Sequence, residues 1–369
     1  MRINVALPGF HRVERGAELA LEAVAGGLVG LGHDVTLYGG GHPRPGRPYD
    51  YHQRGLVDRR RFERFPRVAP LRSAETYEEL TFALGGARHS AMFDADVTIT
   101  CGYPFTNWLL TRSVVGRRRP AHVFVTENGD HPATSTRGEF GRFRCDGLVC
   151  TNPQYADRNR YRWNTALIPN GIDPDRFAPG AAQRSRFNLP DGVPVVLIAS
   201  ALIESKRVVA AVRAVAAIPD AYLVIAGDGP LRDDVDELCA QLVPSRHRRI
   251  VVPAAQMPDL YRSVDVLVHM SGTESFGNVY LEALCCGLPI IADDYGVTRW
   301  ILGADYPGLV DTNDLGAVSV AAAKALRAGR EPVAEHSASA RRRFSWSSVA
   351  TQYDGFLHAV VGPRSRRWR

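Results

Sequence analysis

Residues 264–294 read as strand, loop, helix and strand, and that succession constrains the fold more than any other stretch. Val264–Met270 (VDVLVHM) is an apolar run of strand length that ends in Ser271-Gly272. Ser275 or Asn278 can cap a following helix by accepting from a backbone N–H of its first turn. Val279 to Cys286 then propagates with good helix formers, Gly287 suits the C-terminal end, and Pro289 stops the helix. Pro289-Ile-Ile-Ala-Asp-Asp294 follows as a short buried strand. The succession is half of a doubly wound α/β domain.

The chemistry of this stretch lies at the helix start. Amides near Gly277, Asn278 and Val279 fall where backbone N–H groups lack intrahelical acceptors, and the helix dipole adds partial positive charge there. That combination suits a phosphate. Glu274 lies just before the helix, and Glu282 lies about one turn inside it, on the face that Asn278 shares at i, i+4 spacing. Carboxylates are poor phosphate ligands but good acceptors for the hydroxyl groups of a ribose or a hexose. A sugar nucleotide meets both requirements. The competing explanation of the pair is a helix with one solvated Glu and an unrelated Glu before it.

Glu274, seven residues, Glu282, then Ala-Leu-Cys-Cys-Gly-Leu-Pro resembles the signature of the retaining glycosyltransferases of family 4, which have the GT-B fold. The resemblance implies two Rossmann-like doubly wound domains facing across a cleft. It also implies that Glu274 contacts the donor sugar and Glu282 the nucleotide ribose.

Taken in order, Ile3–Leu7 is a first strand, and Arg15-Gly16-Ala17-Glu18 opens a long helix with Leu19, Ala20, Ala23, Val24 and Leu28 on one apolar stripe. Gly16 lets the backbone approach a ligand closely. The family often carries Gly-Gly-Ala-Glu here, close to the phosphates, and this chain keeps all but the first Gly. A second strand follows at Val35–Tyr38. Residues 40–75 are rich in Pro, Gly and Arg, lack periodicity, and read as a long excursion. Further strands are expected at 96–100, 121–126 and 146–151. Many family members carry a His in the loop after the fourth strand, close to the sugar. Here Glu127 or Asn128 stands in that place and His131 follows, so the resemblance makes His131 the candidate at the reacting centre. The competing reading of His131 is a surface loop residue.

Leu167-Ile-Pro-Asn-Gly-Ile-Asp173 matches the family's interdomain linker, and Asn170-Gly171 with Pro169, Pro174 and Pro179 makes a stiff crossing. The expected division is an N-terminal acceptor-side domain over 1–168 and a linker over 169–182. A nucleotide-sugar-binding domain over 183–343 follows. A final helix with a basic tail, over 344–369, crosses back to the first domain. Pro194–Ser200 is a continuous apolar strand, and Ala201-Leu-Ile-Glu-Ser-Lys-Arg207 leads into a helix at 208–217. In the family an Arg and a Lys-Gly pair grip the diphosphate here. Ala201 replaces that Arg and Arg207 replaces that Gly, so Lys206 and Arg207 are expected to share the diphosphate without a divalent metal. Strands at 221–226 and 249–252 follow, and the resemblance places Val252, at the end of the second, against the nucleobase. A short helix begins at Met257.

At 369 residues the chain suits two domains. No apolar run reaches the roughly 20 residues of a membrane span, and Met1-Arg-Ile-Asn-Val runs straight into a strand with no signal-peptide pattern. Six cysteines without a Cys-x-x-Cys pair read as buried thiols in a reducing compartment, so a cytoplasmic location is expected. The net charge is +6, almost all of it from arginine; Lys206 and Lys324 are the only lysines. Arginine clusters at 59–61, at 117–119 and in the tail offer peripheral contact with the inner face of a membrane, set against their reading as solvated faces. Apart from Trp368 in the tail, nothing interleaves these clusters with the aromatics of a nucleic-acid groove.

The expected function is retaining, metal-independent glycosyl transfer. It requires no cofactor beyond a UDP- or GDP-linked sugar donor, and its acceptor is a glycan, a lipid-linked sugar or a small molecule. Two alternatives stand beside it. One is a phosphorylase-like enzyme, which needs a lysine for pyridoxal phosphate; the other is a non-catalytic sugar-nucleotide-binding or scaffold protein.

Overall fold

The structure is a computed structural model that describes residues 1–112 and 119–362. The chain forms two compact units, Met1–Gly171 with Trp346–Arg369, and Ile172–Ser345.

The first unit holds β1 (Arg2–Ala6), β2 (Asp34–Gly39), β3 (Asp50–Gln53), β4 (Val97–Thr100), β5 (Ala121–Val125), β6 (Gly147–Cys150) and β7 (Thr165–Leu167). Their order in the sheet is β3-β2-β1-β4-β5-β6-β7, with every neighbouring pair parallel. The Gly16–Gly30 helix buries Leu21, Val24 and Leu28 in the same core as Ile3, Val5, Val97 and Val123. The Trp346–Val361 helix adds Val349, Tyr353 and Leu357 to that core. It reaches the Gly16–Gly30 helix at Gly27, where a methyl group would come within 2.6 Å of the Ala350 side chain. His33 Nε2 also pairs with Asp354 at 2.8 Å.

The second unit holds β8 (Val195–Ala199), β9 (Tyr222–Ala226), β10 (His247–Ile250), β11 (Val266–His269), β12 (Ile290–Asp293) and β13 (Leu309–Val310). The order is β10-β9-β8-β11-β12-β13, again all parallel. Parallel sheets are covered by helices on both faces, which is why β8 and β11 read as continuous apolar runs. One face of these strands gives Val196, Ile198, Val266 and Val268 to a core with Val208, Ala211, Val212 and Val215. The other gives Val195, Leu197 and Leu267 to a core with Leu281, Leu284 and Cys285. Each such side chain contributes about 1.5–3 kcal/mol on burial. The two strands are therefore firmly fixed, and the loops leaving their carboxyl ends inherit that position.

Both sheets are thus of the doubly wound Rossmann type, and in each the order reverses between two central strands, β1 and β4 or β8 and β11. Open α/β sheets take ligands outside the carboxyl ends of strands at such a switch point.

Some local expectations give way. The 40–75 excursion contains β3, an edge strand paired with β2 from Thr36↔Asp50 to Gly39↔Gln53, and a short 3-10 turn at Arg59–Phe62. Asp-Tyr-His-Gln lacks an apolar pattern, and its order comes from the ladder and from Tyr51, whose hydroxyl donates to the carbonyls of Phe10 and Gly41. The strand expected at 249–252 lies at His247–Ile250, so Val252 falls in the loop beyond it. The six cysteines carry no disulfide. Arg59 is tied to Glu75 at 2.5 Å and Glu78 at 2.9 Å, which turns that arginine cluster inward in part. Arg117, Arg118 and the tail arginines lie outside the described residues. Among the described residues, no helix is long and apolar enough to cross a membrane.

Candidate active site

The two switch-point strands of the second unit deliver Lys206 and Glu274 to one place. After β8 the chain makes a 3-10 turn at Glu204–Lys206 and enters the Val208–Ala216 helix. After β11 it loops through Glu274 into the Asn278–Cys285 helix. Lys206 Nζ lies 2.5 Å from Glu274 Oε1. His269, the last residue of β11, places Nε2 3.0 Å from the same oxygen. Burial pushes the Glu274 carboxyl up, but the His269 hydrogen bond and the Lys206 charge outweigh it and hold the group down at about 2. The carboxylate is therefore ionised at any physiological pH. Its Oε2 makes no hydrogen bond among the described residues.

The neighbouring helix opens on Gly277 rather than on a Ser275 or Asn278 cap. Gly277 holds φ 94°, which L side chains rarely adopt, and a methyl group there would meet the Tyr280 ring at 2.6 Å. Gly277 brings no side-chain cap to this helix start, and the helix dipole places partial positive charge there. The helix ends as the sequence suggests. Gly287, at φ 72°, donates to Leu284 O and Leu288 donates to Ala283 O, a Schellman closure.

Glu282 lies one turn into this helix, half-buried. Burial raises its carboxyl to about 7, despite a 2.9 Å bond from the Tyr261 hydroxyl to Oε2 and the Arg176 charge. Val279 and Val252 are half-buried against the same apolar core.

Arg207 does not accompany Lys206. Its Nη1 donates to Thr312 Oγ1 at 2.7 Å and its Nη2 to Thr312 O at 2.9 Å, while Thr312 Oγ1 donates to Asp293 Oδ1 at 2.6 Å. The residue is left-handed, φ 52°, a conformation that costs a non-glycine residue roughly 1–2 kcal/mol. The two bonds to Thr312 offset that cost and make Arg207 a strut that fixes the turn bearing Lys206.

In the first unit, Gly16 begins its helix, and Glu18 pairs with Arg15 at 3.1 Å. Glu18 also lies against Gly9, where a methyl group would overlap its Oε1 at 1.9 Å. His131 is exposed at the start of a short helix, edge-on to Phe140 at 4.5 Å. The carboxyl end of β5 carries Glu127 instead, which accepts from Asn170 Nδ2 at 3.0 Å. Burial raises this carboxyl to about 7. His269, Tyr261 and Thr312, which contact Glu274, Glu282 and Arg207, carry no motif in the sequence. Only His269 left a signal, as a titratable residue inside an apolar strand.

Residues 181–342 match the family model described as glycosyl transferases group 1. Along 86% of the chain, and 87% of its own length, a GDP-mannose-dependent alpha-(1-6)-phosphatidylinositol monomannoside mannosyltransferase of Mycolicibacterium smegmatis is 27% identical. A D-inositol 3-phosphate glycosyltransferase of the same organism is 32% identical over 58% of the chain and 51% of its own length. Other curated relatives are likewise spanned over about half their length. Among solved structures, a sucrose-phosphate synthase of Thermosynechococcus elongatus superposes with TM-score 0.80 at 18% identity, covering 98% of this chain and 99% of that one. Anabaena HepE, solved with UDP and glucose, superposes with TM-score 0.74 at 16% identity, over 97% and 100% of the two chains. Residues 181–342 therefore resemble the glycosyl transferases group 1, and the chain shares the Rossmann-like GT-B fold of these solved structures.

Proposed function

We propose that the protein transfers a hexosyl group from a nucleoside diphosphate sugar to a sugar-containing or lipid-linked acceptor, with retention at the anomeric carbon and without a divalent metal. The observation that carries this reading is the meeting of Lys206 and Glu274 beside the start of the Asn278–Cys285 helix, at the carboxyl ends of β8 and β11. Lys206 and the first-turn amides neutralise the diphosphate, Glu274 accepts from the donor sugar's hydroxyls, and Glu282 accepts from the ribose. The bond from the anomeric carbon to the β-phosphate oxygen breaks, and the acceptor oxygen bonds to that carbon on the same face. The acceptor's proton passes to the departing phosphate oxygen. Charge grows on the diphosphate along this path, so Lys206 and the amides act more strongly in the transition state than in the ground state. The acceptor side falls to the first unit, and Gly16, at the start of its first helix, lies on the phosphate side of this reading. The relative aligned along most of the chain is named as GDP-mannose-dependent, which makes GDP-mannose the first donor to try; HepE was solved with UDP, which makes UDP-glucose the second.

The ribose contact gives this reading a pH signature. Glu282 ionises near 7 in the ligand-free protein, and only the carboxylate accepts from two ribose hydroxyls. Affinity for GDP or UDP is expected to rise between about pH 6 and 8 and then level off. Glu282→Gln should weaken binding roughly tenfold at pH 8, the scale of one lost hydrogen bond to a charged group, and should flatten the rise. Titration calorimetry across this range checks it. Wild-type affinity in Glu282→Gln at pH 8 would remove Glu282 from the nucleotide site.

A further inference from the structure

We propose that His269 is a positioning residue for Glu274: its Nε2–H holds the carboxylate in place when Lys206 leaves it for the donor's diphosphate. The inference rests on the nucleotide-sugar reading of this site. Without ligand, Glu274 Oε1 has two partners, the Lys206 ammonium at 2.5 Å and His269 Nε2 at 3.0 Å. The two differ in freedom. Lys206 is 22% exposed and carries its charge on a four-carbon stem with several rotatable bonds. His269 is 2% exposed, ends a strand at the centre of the sheet, and packs edge-on to Tyr280 at 4.9 Å. Tyr280 is itself buried and donates to the Ser271 carbonyl at 3.3 Å. One partner can swing; the other cannot.

An entering diphosphate competes with Glu274 for the ammonium. If Lys206 alone held the carboxylate, binding the donor would release Glu274 when the sugar needs it in a fixed place. The His269 bond survives that exchange. It occupies Oε1 and leaves Oε2, which makes no hydrogen bond among the described residues, to accept from the sugar. The bond to a carboxylate also assigns the proton to Nε2, so a neutral imidazole is sufficient.

The alternative is a core histidine whose polar atom is satisfied by a convenient acceptor, with no part in turnover. Three variants separate the two. Gln carries an amide nitrogen near the place of Nε2, Asn carries one near the place of Nδ1 and falls short of Glu274, and Leu carries none. The readouts are the affinity for bare GDP and UDP, and the rate of nucleoside diphosphate release from GDP-mannose or UDP-glucose. His269→Leu and His269→Asn should keep the bare-nucleotide affinity of the wild type and lose about 10–100-fold in kcat, the usual loss when the group orienting a ligating side chain is removed. KM should change little, and His269→Gln should recover most of the rate.

Wild-type kcat in His269→Asn or His269→Leu overturns the inference. So does an equal loss in the Asn and Gln variants together with lost bare-nucleotide affinity, because that marks a purely structural residue. A wild-type protein that binds neither GDP nor UDP overturns the nucleotide reading, and this inference with it. A wild type that binds and turns over, with Gln and Asn variants alike, overturns this inference alone.

Discussion

Lys206→Ala is expected to lower the rate of nucleoside diphosphate release by about 10²–10³-fold, the cost of removing one preorganised group that stabilises charge in a transition state. In free-energy terms this is about 2.7–4 kcal/mol. The size follows from the setting. The ammonium sits at the switch point between β8 and β11, on a turn that Arg207 ties to Thr312, which in the proposed function lets it turn from Glu274 to the diphosphate without moving the backbone. Bare GDP or UDP should also bind more weakly, because the ground-state diphosphate already carries charge, but the loss in rate should exceed the loss in affinity. The protein should still fold. Glu274 keeps its bond from His269 after the substitution, and its carboxyl simply titrates at a higher pH than in the wild type. Steady-state release assays and calorimetry on the same preparation test this, with circular dichroism as the control for folding. A variant that releases the diphosphate at the wild-type rate removes Lys206 from the chemistry.

Glu274→Gln is expected to move two measurements in opposite directions. Turnover should fall by about 10²-fold, since the neutral amide is a weaker acceptor for the donor sugar's hydroxyls in the preorganised site. Bare nucleoside diphosphate should bind as well as to the wild type, or several-fold more tightly. In the wild-type protein the carboxylate holds Lys206 at 2.5 Å and repels an incoming phosphate. Removing its charge frees the ammonium and removes the repulsion, and in a site only 12–22% exposed that charge is poorly screened by solvent. Lys206→Ala weakens both properties, whereas Glu274→Gln separates them. Equal losses of affinity and rate in Glu274→Gln would mean that the pair is a structural ion pair.

The chain's sequence shows the central strands and the site loops for one reason. β8 and β11 are buried on both faces, so their residues must be apolar without interruption, and Val195–Ala199 and Val266–Val268 announce themselves. The helix after Glu274 is legible because its run of helix formers ends at Gly287 and Pro289, whereas its start at Gly277 differs from the expected Ser275 or Asn278 cap. The edge strands were not. β3 is Asp-Tyr-His-Gln, β7 is three residues and β13 is two. Each is ordered by a neighbouring strand far away in sequence, and none carries a pattern of its own.

The partners of the site residues were hidden for a related cause. Nothing local to Arg207 points to Thr312, 105 positions away, and the left-handed turn at 207 is visible only once the backbone is known. The resemblance offers His131 because it follows the family's histidine position by a few residues, and the structure places it exposed beside Phe140. The residue at the end of β5 is a half-buried glutamate, and its surroundings cannot be read from its letter.

Proton NMR of the protein with GDP-mannose or UDP-glucose in excess EDTA tests the central claim most directly. D-inositol 3-phosphate, phosphatidylinositol vesicles and methyl glycosides serve as acceptors. The account predicts that one donor is consumed in EDTA and that its sugar appears on an acceptor, or on water, in the donor's own anomeric configuration. Consumption only after magnesium is added, or a product of inverted configuration, would contradict it.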